Sequence, residues 1–464
     1  MFDEYSDEPI FNVKAVATQS GVQASTLRAW ERRYGVPQPP RSDSGYRLYS
    51  ARDAAIVRWL KHQIEGGMSI SQAVNLLHSI QAGRQSHKAT PAKPSAAASY
   101  SDPDNAYLPA PTITKPIEMF DRYVSVAFNC ALHFDEAGFD HVLGDAFALY
   151  SVEAVCARVI QPLQTMIGEG WHKGTVTISV EHFATNLLRR KLIGLFATCP
   201  PPTDLRKIVA GCAPEEFHEM GILMLSLYLR RRGKDVVLLG QASAADRLAE
   251  MLVQTQPRLV LMSASVLHTA ANLLDIVDVL DDKRLSSVIF AYGGRVFNQL
   301  PELSKSLPGV HVADDMLQAL DQINALLDAG ELYAHRGGHK SAEAKQALTD
   351  FKLSRALIAA DMMAGMQQQP AFNYSYVSQS SEHFADAIES ALRFENPGLL
   401  RHAVSWQWNA RAPDGPSVLL LQQQVKLLAQ AVQHRVAVDS RLLVGSYVAN
   451  IASSLELHKD YTKS

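Results

Sequence analysis

Residues 207–221 read KIVAGCAPEEFHEMG, and the apolar run ILMLSLYLRRRG follows directly at 222–233. A short β-rich run that breaks at Ala-Pro and then enters a helical pattern opens a strand–loop–helix unit. Four more short β-rich runs follow at helix-sized intervals: DVVLLG (235–240), RLVLMSAS (258–265), SSVIFAYGG (286–294) and GVHVA (309–313). Five such runs joined by helices predict a parallel, doubly wound sheet. Ligands of these sheets sit beyond the carboxyl ends of the strands. His218 stands on the loop after the first strand, where an imidazole nitrogen can meet a metal. Glu216, two residues earlier, can hold the other ring nitrogen and fix the tautomer. Gly221 leaves room at the helix start for a bulky ligand.

The spacing Glu216-x-His218-x-x-Gly221 resembles the cobalamin-binding signature of base-off, His-on B12 proteins. That signature usually has Asp in the first place, and Glu keeps the acceptor chemistry at a longer reach. Ser263-Ala264-Ser265 closes the third run and Gly293-Gly294 the fourth. The resemblance implies that His218 is the lower axial ligand of cobalt. It also implies that Ser263, Ser265, Gly293 and Gly294 line the slot for the nucleotide tail.

Upstream, residues 116–200 carry helical apolar spacing, as at Phe183, Leu187, Leu188 and Leu192, and predict a four-helix bundle. Within it Trp171-His172 is followed by Glu181-His182. This pattern resembles the helical cap of the light-dependent CarH/LitR regulators, which covers the upper face of adenosylcobalamin. The resemblance implies that Trp171 is a flat apolar wall for the adenosyl group. It further implies that Glu181 meets the ribose hydroxyls and that His182 orients the site. His172 would ligate cobalt once the upper ligand has left. In that family, loss of the adenosyl group changes assembly and releases DNA.

The N-terminal stretch FNVKAVATQSGVQASTLRAWERRYG (11–35) contains two helical segments broken at Ser20-Gly21, with Ser25 the expected N-cap of the second. This is helix-turn-helix layout. Pro37, Pro39 and Pro40 are expected to stop the second helix. SDSGYRLYS (42–50) then reads as a turn-and-strand unit bent at Gly45. From Thr26 to Lys61, eight cationic side chains face three carboxylates, on a chain whose formal net charge is -3. One basic module on a near-neutral body suggests that this module alone meets a polyanion. The region resembles the winged-helix domain of the MerR family over nearly all of residues 11–80. Carried over, the resemblance makes Arg28, Arg33, Tyr34, Arg41 and Arg47 contacts to double-stranded operator DNA. Thr26 and Tyr46 lie beside them, while Leu27 and Trp30 are expected to pack the small core.

The chain has 464 residues, 47% of them hydrophobic and 20% charged. It is expected to be multidomain, mixing α and α/β parts. A winged-helix domain spans 1–81, a Pro/Ala/Ser-rich linker 82–115, and the bundle cap 116–200. The Rossmann-like cobalamin-binding domain spans 201–330, and a C-terminal helical extension 340–464. ALHFDEAGFDHVL at 131 resembles ALRFENPGLLRHA at 391, pairing Ala131, Leu132, Phe134 and Gly138 with Ala391, Leu392, Phe394 and Gly398. The extension is therefore read as a degenerate copy of the bundle or as an unrelated pair of amphipathic helices. The acidic start, the absence of long apolar runs and four scattered cysteines predict a cytoplasmic protein without membrane contact or disulfides. The expected function is a light-responsive, homo-oligomeric transcriptional repressor with adenosylcobalamin as chromophore and no enzymatic activity. A light-independent B12 or tetrapyrrole sensor and a corrinoid methyl-carrier protein are the alternatives.

Overall fold

The structure, a computed structural model, describes residues 2, 5–41, 45–65, 68–85, 116–241, 245–313, 315–329, 341–369, 372–401 and 418–461. The chain divides into two compact units, Met1–Glu169 with Thr177–Leu188, and Gly170–Val176 with Arg189–Ser464.

In the first unit, α1 (Val13–Ser20) and α2 (Ala24–Tyr34) form the helix-turn-helix. Gly21, at φ 65°, caps α1 in the left-handed conformation that lets the chain turn within three residues. Asn12 caps α1 at its start by accepting from the Ala15 amide at 2.9 Å. Two sequence expectations are corrected. Ser25 lies inside α2, which starts from Gln23 without a side-chain cap. The helix also stops before the prolines, at Gly35, whose φ of 66° ends it and whose N–H returns to the Glu31 carbonyl. α3 (Ala51–Glu65) and α4 (Ile70–Gln85) complete the module. α4 continues past residue 82, where the linker was expected to begin, because AGRQ contains no proline to halt it. The rest of the linker lies outside the described residues. Leu27, Trp30, Tyr49, Val57 and Leu60 are buried in the module's core.

The bundle consists of α5 (Pro116–Leu132), α6 (Glu136–Leu149), α7 (Val152–Val155), α8 (Gln161–His172) and α9 (Ile178–Ala197), with a π-helical turn at Cys156–Ile160 joining α7 to α8. Phe120, Val124, Ala127, Phe139, Leu143, Val159, Leu163, Ala184 and Leu188 supply its buried stripe. The winged-helix module is joined to it by paired backbone at Phe11 and Tyr150.

The second unit holds five parallel strands, β1 (Asp204–Cys212), β2 (Lys234–Gly240), β3 (Leu259–Ser263), β4 (Ile289–Gly293) and β5 (Val310–His311). Their order is β2-β1-β3-β4-β5, so the winding reverses between β1 and β3 and opens a crevice at their carboxyl ends. β3 and β4 are buried along their whole length, as expected of unbroken Leu/Val/Ile/Phe runs covered on both faces. The crossovers are α10 (Met220–Arg231), α11 (Ala245–Thr255), α12 (Leu267–Leu280) and α13 (Arg295–Gln299), with α14 (Met316–Asp328) after β5.

Beyond the sheet come α15 (Ala342–Met366), α16 (Tyr374–Arg393), α17 (Val418–Arg435) and α18 (Val438–Tyr461). Phe351, Ile358, Phe384, Ile388, Leu428, Val432, Val444 and Val448 fill the space between them, and one continuous core joins these residues to the α12 side of the sheet. No described helix is long and apolar enough to cross a membrane. The four cysteines are free.

Candidate functional site

The crevice site is built on the eight residues after β1. Glu215 adopts a left-handed φ of 63°, a conformation that costs a non-glycine residue on the order of 1 kcal/mol. The turn sends Glu216 inward, where it is 1% exposed. One carboxylate oxygen accepts from the His218 amide at 2.9 Å and lies 2.6 Å from His218 Nδ1. The other accepts from the Ser265 amide at 2.6 Å and from Thr269 Oγ1 at 2.7 Å. Burial on its own would push the Glu216 carboxyl up. The donors from His218, Thr269 and Ser265 outweigh it and hold the group down at about 2. Glu216 is therefore a carboxylate that accepts from the imidazole, which leaves Nε2 as the nitrogen free to ligate. The His218 side chain is 68% exposed, so that nitrogen is open to an incoming group.

The loop is pinned from several sides. Gln241 Nε2 donates to the Phe217 carbonyl at 3.0 Å, and Asn272 Nδ2 donates to the Pro214 carbonyl at 3.0 Å. Glu219, buried at the start of α10, accepts from Arg189 on α9. At Gly221 an added Cβ would meet nothing within 4 Å, so the space in front of the helix start is empty of protein. Gly293 and Gly294 answer to a different demand. A Cβ on Gly293 would come 3.1 Å from Val312, and one on Gly294 (φ 117°) would come 2.2 Å from the Ala264 carbonyl oxygen. The Gly294 backbone therefore requires glycine for the chain's own packing, with or without a ligand. Ser263 is buried at the end of β3, and Ser265 acts here through its backbone.

Among the described residues no group of three or more His, Cys, Asp or Glu side chains is arranged to hold a metal. One exposed imidazole with its far nitrogen tied suits a metal whose other positions are filled by its own macrocycle. A corrin meets that description, and the open approach at Gly221 fits its bulk.

Trp171, the penultimate residue of α8, is 46% exposed, which is not how a tryptophan in a packed core sits. The side chain of His172 lies outside the described residues. Trp171 belongs to the unit that holds His218, and Glu181 and His182 to the other. Glu181 lies 2.8 Å from His182 Nδ1 and accepts from Thr185 Oγ1 at 2.8 Å, so it is held in a fixed rotamer on α9.

On the basic module, Arg28 and Arg33 are exposed on α2, with Thr26 and Tyr34 half-buried beside them. The Arg33 guanidinium lies 5.7 Å from the centre of the Tyr34 ring. Residues 41 and 47 pair as the two sides of the wing, and Gly45 bends between them at φ 78°. Arg41 and Tyr46 are exposed there. Arg47 is instead bound to Glu31, which also accepts from Tyr49, so Glu31 ties the wing to the recognition helix. The sequence reading passed over Glu31; an acid amid the arginines of α2 was the available signal.

Comparison with known proteins agrees with this arrangement. Residues 11–80 match the MerR HTH family regulatory protein family, and residues 127–194 and 206–321 each match a B12 binding domain family. The chain is 31% identical over 268 residues to the HTH-type transcriptional repressor CarH of Myxococcus xanthus, covering 58% of this chain and 83% of that one. The chain belongs to the CarH-type family of MerR regulators with B12-binding domains. CarA, an HTH-type transcriptional repressor of the same organism, is 31% identical over 254 residues, covering 54% of this chain and 75% of CarA. A monomethylamine corrinoid protein of Methanosarcina barkeri aligns over 45% of this chain and 98% of its own, with a TM-score of 0.37 and 14% identity. Against the CarH-type background, the region after residue 330 falls outside all three family matches.

Proposed function

We propose that the chain is a light-responsive transcriptional repressor that binds double-stranded operator DNA through its winged helix and holds adenosylcobalamin as chromophore. The observation that carries the reading is the His218–Glu216 pair: an exposed imidazole, tied at Nδ1, on the loop at the sheet's switch point. Its supports are the CarH-type family membership and two B12-binding matches, one spanning the cap signature and the other the histidine loop.

When bound, adenosylcobalamin supplies a cobalt–carbon bond that light breaks. His218 would ligate the cobalt, with Gly221 leaving room for the bulky ligand and Ser263, Ser265, Gly293 and Gly294 lining the slot for the nucleotide tail. Trp171, Glu181 and His182 would receive the adenosyl group, and His172 would be the replacement ligand afterwards. Arg28, Arg33, Tyr34, Arg41 and Tyr46 would meet the DNA, with Arg47 buttressing the wing through Glu31. A single winged helix binds DNA weakly and linked copies bind far more tightly, so a change in homo-oligomeric assembly would set operator occupancy. The reading assigns no catalytic step.

Absorption spectra and operator binding of protein loaded with adenosylcobalamin, before and after green light, test this. The expected result is a base-off, histidine-ligated spectrum in the dark and loss of DNA binding on illumination. DNA binding that is the same in dark and light would leave a light-independent B12 sensor. Refusal of every corrinoid would remove the cofactor from the account altogether.

A further inference from the structure

The helices after residue 340 repeat the bundle locally. Phe134 (φ 54°) ends the first copy of the repeat in the left-handed region, and the next residue, Asp135, caps the Gly138 amide at 2.9 Å. Glu395 (φ 50°) and Asn396, which caps the Gly398 amide at 3.0 Å, make a similar turn displaced by one residue. Buried positions Val176, Val180, Ala184, Leu187 and Leu188 return as buried Val436, Ser440, Val444, Tyr447 and Val448, at the spacing that relates Ala131 to Ala391. At that spacing Trp171, His172, Glu181 and His182 become Ala431, Val432, Arg441 and Leu442. The second copy keeps the packing stripe and has lost every group that would receive a cofactor.

What the second copy has instead is a polar connection to the histidine loop. Arg393, the last residue of α16, is buried, with its side chain 9% exposed. Its guanidinium donates to Asn272 Oδ1 at 2.7 Å and to Asp275, both on α12. Asn272 in turn donates through Nδ2 to the Pro214 carbonyl at 3.0 Å and to Glu215 at 3.3 Å. An amide whose oxygen must accept from arginine has only one orientation left, and that orientation aims its NH2 at the loop. Pro214 lies four residues before His218, and Glu215 is the left-handed residue that turns Glu216 inward. A buried guanidinium is tolerated only with its partners in place, so the relay is specified rather than incidental.

We propose that Arg393 and Asn272 are positioning residues for the cobalt-ligating loop, and that the C-terminal bundle thereby acts on the cobalamin site. This role rests on the cobalamin reading for its purpose, but the coupling of the bundle to the loop exists in the chain alone. The bundle's docking and the axial ligand's geometry are two ends of one hydrogen-bonded chain.

Three variants of the full-length chain separate this from simple structural support. Arg393→Met removes the donors while keeping the bulk. Asn272→Ala cuts the relay and leaves the Arg393–Asp275 pair that docks the bundle. Asp275→Asn weakens that pair and leaves the relay. Hydrogen exchange of the amides of residues 213–219, in protein without cofactor, should rise roughly tenfold in Arg393→Met and Asn272→Ala, the effect of one lost hydrogen bond on local opening. In Asp275→Asn, whose amide oxygen can still accept from Arg393, the rise should be clearly smaller than in the other two. In protein loaded with cob(II)alamin, the nitrogen superhyperfine lines of the cobalt EPR signal should broaden in the first two variants only. Unchanged exchange in Arg393→Met and Asn272→Ala overturns the proposal, as does an equal rise in Asp275→Asn. If the parent protein takes up no corrinoid, the cobalamin reading fails, and the exchange experiment still decides whether the relay holds the loop.

Discussion

Glu216 Oε1 lies 2.6 Å from His218 Nδ1, while Oε2 accepts from Ser265 and Thr269. Four donors converge on one buried carboxylate, so the imidazole is oriented by a group that is itself immobile. Glutamine at 216 keeps the volume but turns an NH2 toward donors that need an acceptor. Glu216→Gln should weaken corrinoid binding by about 10–100-fold, the range for loss of a partner behind a metal ligand. His218→Ala should abolish nitrogen ligation outright. An absorption titration with adenosylcobalamin reads both, and equal affinity in Glu216→Gln and the parent would remove the carboxylate from the site.

The glycines of the crevice divide by what surrounds them. Gly294 is at φ 117° with a Cβ position 2.2 Å from the Ala264 oxygen, and Gly221 faces empty space. Gly294→Ala should therefore destabilise the cofactor-free protein by several kcal/mol, on the order of 2–4, from strain and clash together. Gly221→Ala should leave thermal unfolding unchanged or raise it slightly, since alanine favours the helix by about 0.5–1 kcal/mol. It should still weaken corrinoid binding. If Gly221→Ala binds as the parent does, that space does not receive the ligand.

The fold was readable because its period changes are sharp. The five β-rich runs are the five strands in the expected parallel sheet, and Ser20-Gly21 marks the turn between α1 and α2. Glu216 holding His218 was readable from spacing, because two residues in a tight loop after a strand leave little choice of partner. The stretches that escaped are those where partners come from far along the chain. Thr269 reaches Glu216 across 53 residues and Arg393 reaches Asn272 across 121, and no local pattern encodes either meeting. Gly294 carries a demand that no local pattern encodes: the Ala264 backbone just past β3 leaves no room for a Cβ, whatever ligand the slot receives. Helix ends were lost to competing stop signals. Gly35 ended α2 before the prolines were reached.

Arg33 is exposed on α2 and Arg47 is held by Glu31, so their losses should look different. Arg33→Ala should reduce operator affinity and lower the slope of log affinity against log salt by about 1, as for one phosphate contact released. Glu31→Gln keeps every cation but loosens the wing. It should weaken operator binding while leaving the salt slope near that of the parent. Titrations at three or more salt concentrations distinguish these outcomes, and an unchanged slope in Arg33→Ala would take that residue off the backbone of the DNA.

Asp204 opens β1 and accepts from Arg206 Nη2 at 2.7 Å and from Lys234 Nζ at 2.9 Å. The Arg206 hydrogen bonds, opposed by burial and reinforced by Lys234, hold its carboxyl well below the usual carboxylate range. A carboxyl with a depressed folded-state value contributes its full stability above its unfolded value of about 3.9 and loses it progressively as pH falls from there through the lower folded-state value. Asp204→Asn should therefore cost about 1–3 kcal/mol at pH 7, the scale of charge-assisted hydrogen bonds. The difference between variant and parent should shrink steadily below about pH 4. Urea unfolding at pH 7, 5 and 3 measures it. A difference as large at pH 3 as at pH 7 would mean that the side chain acts through packing rather than through its charge.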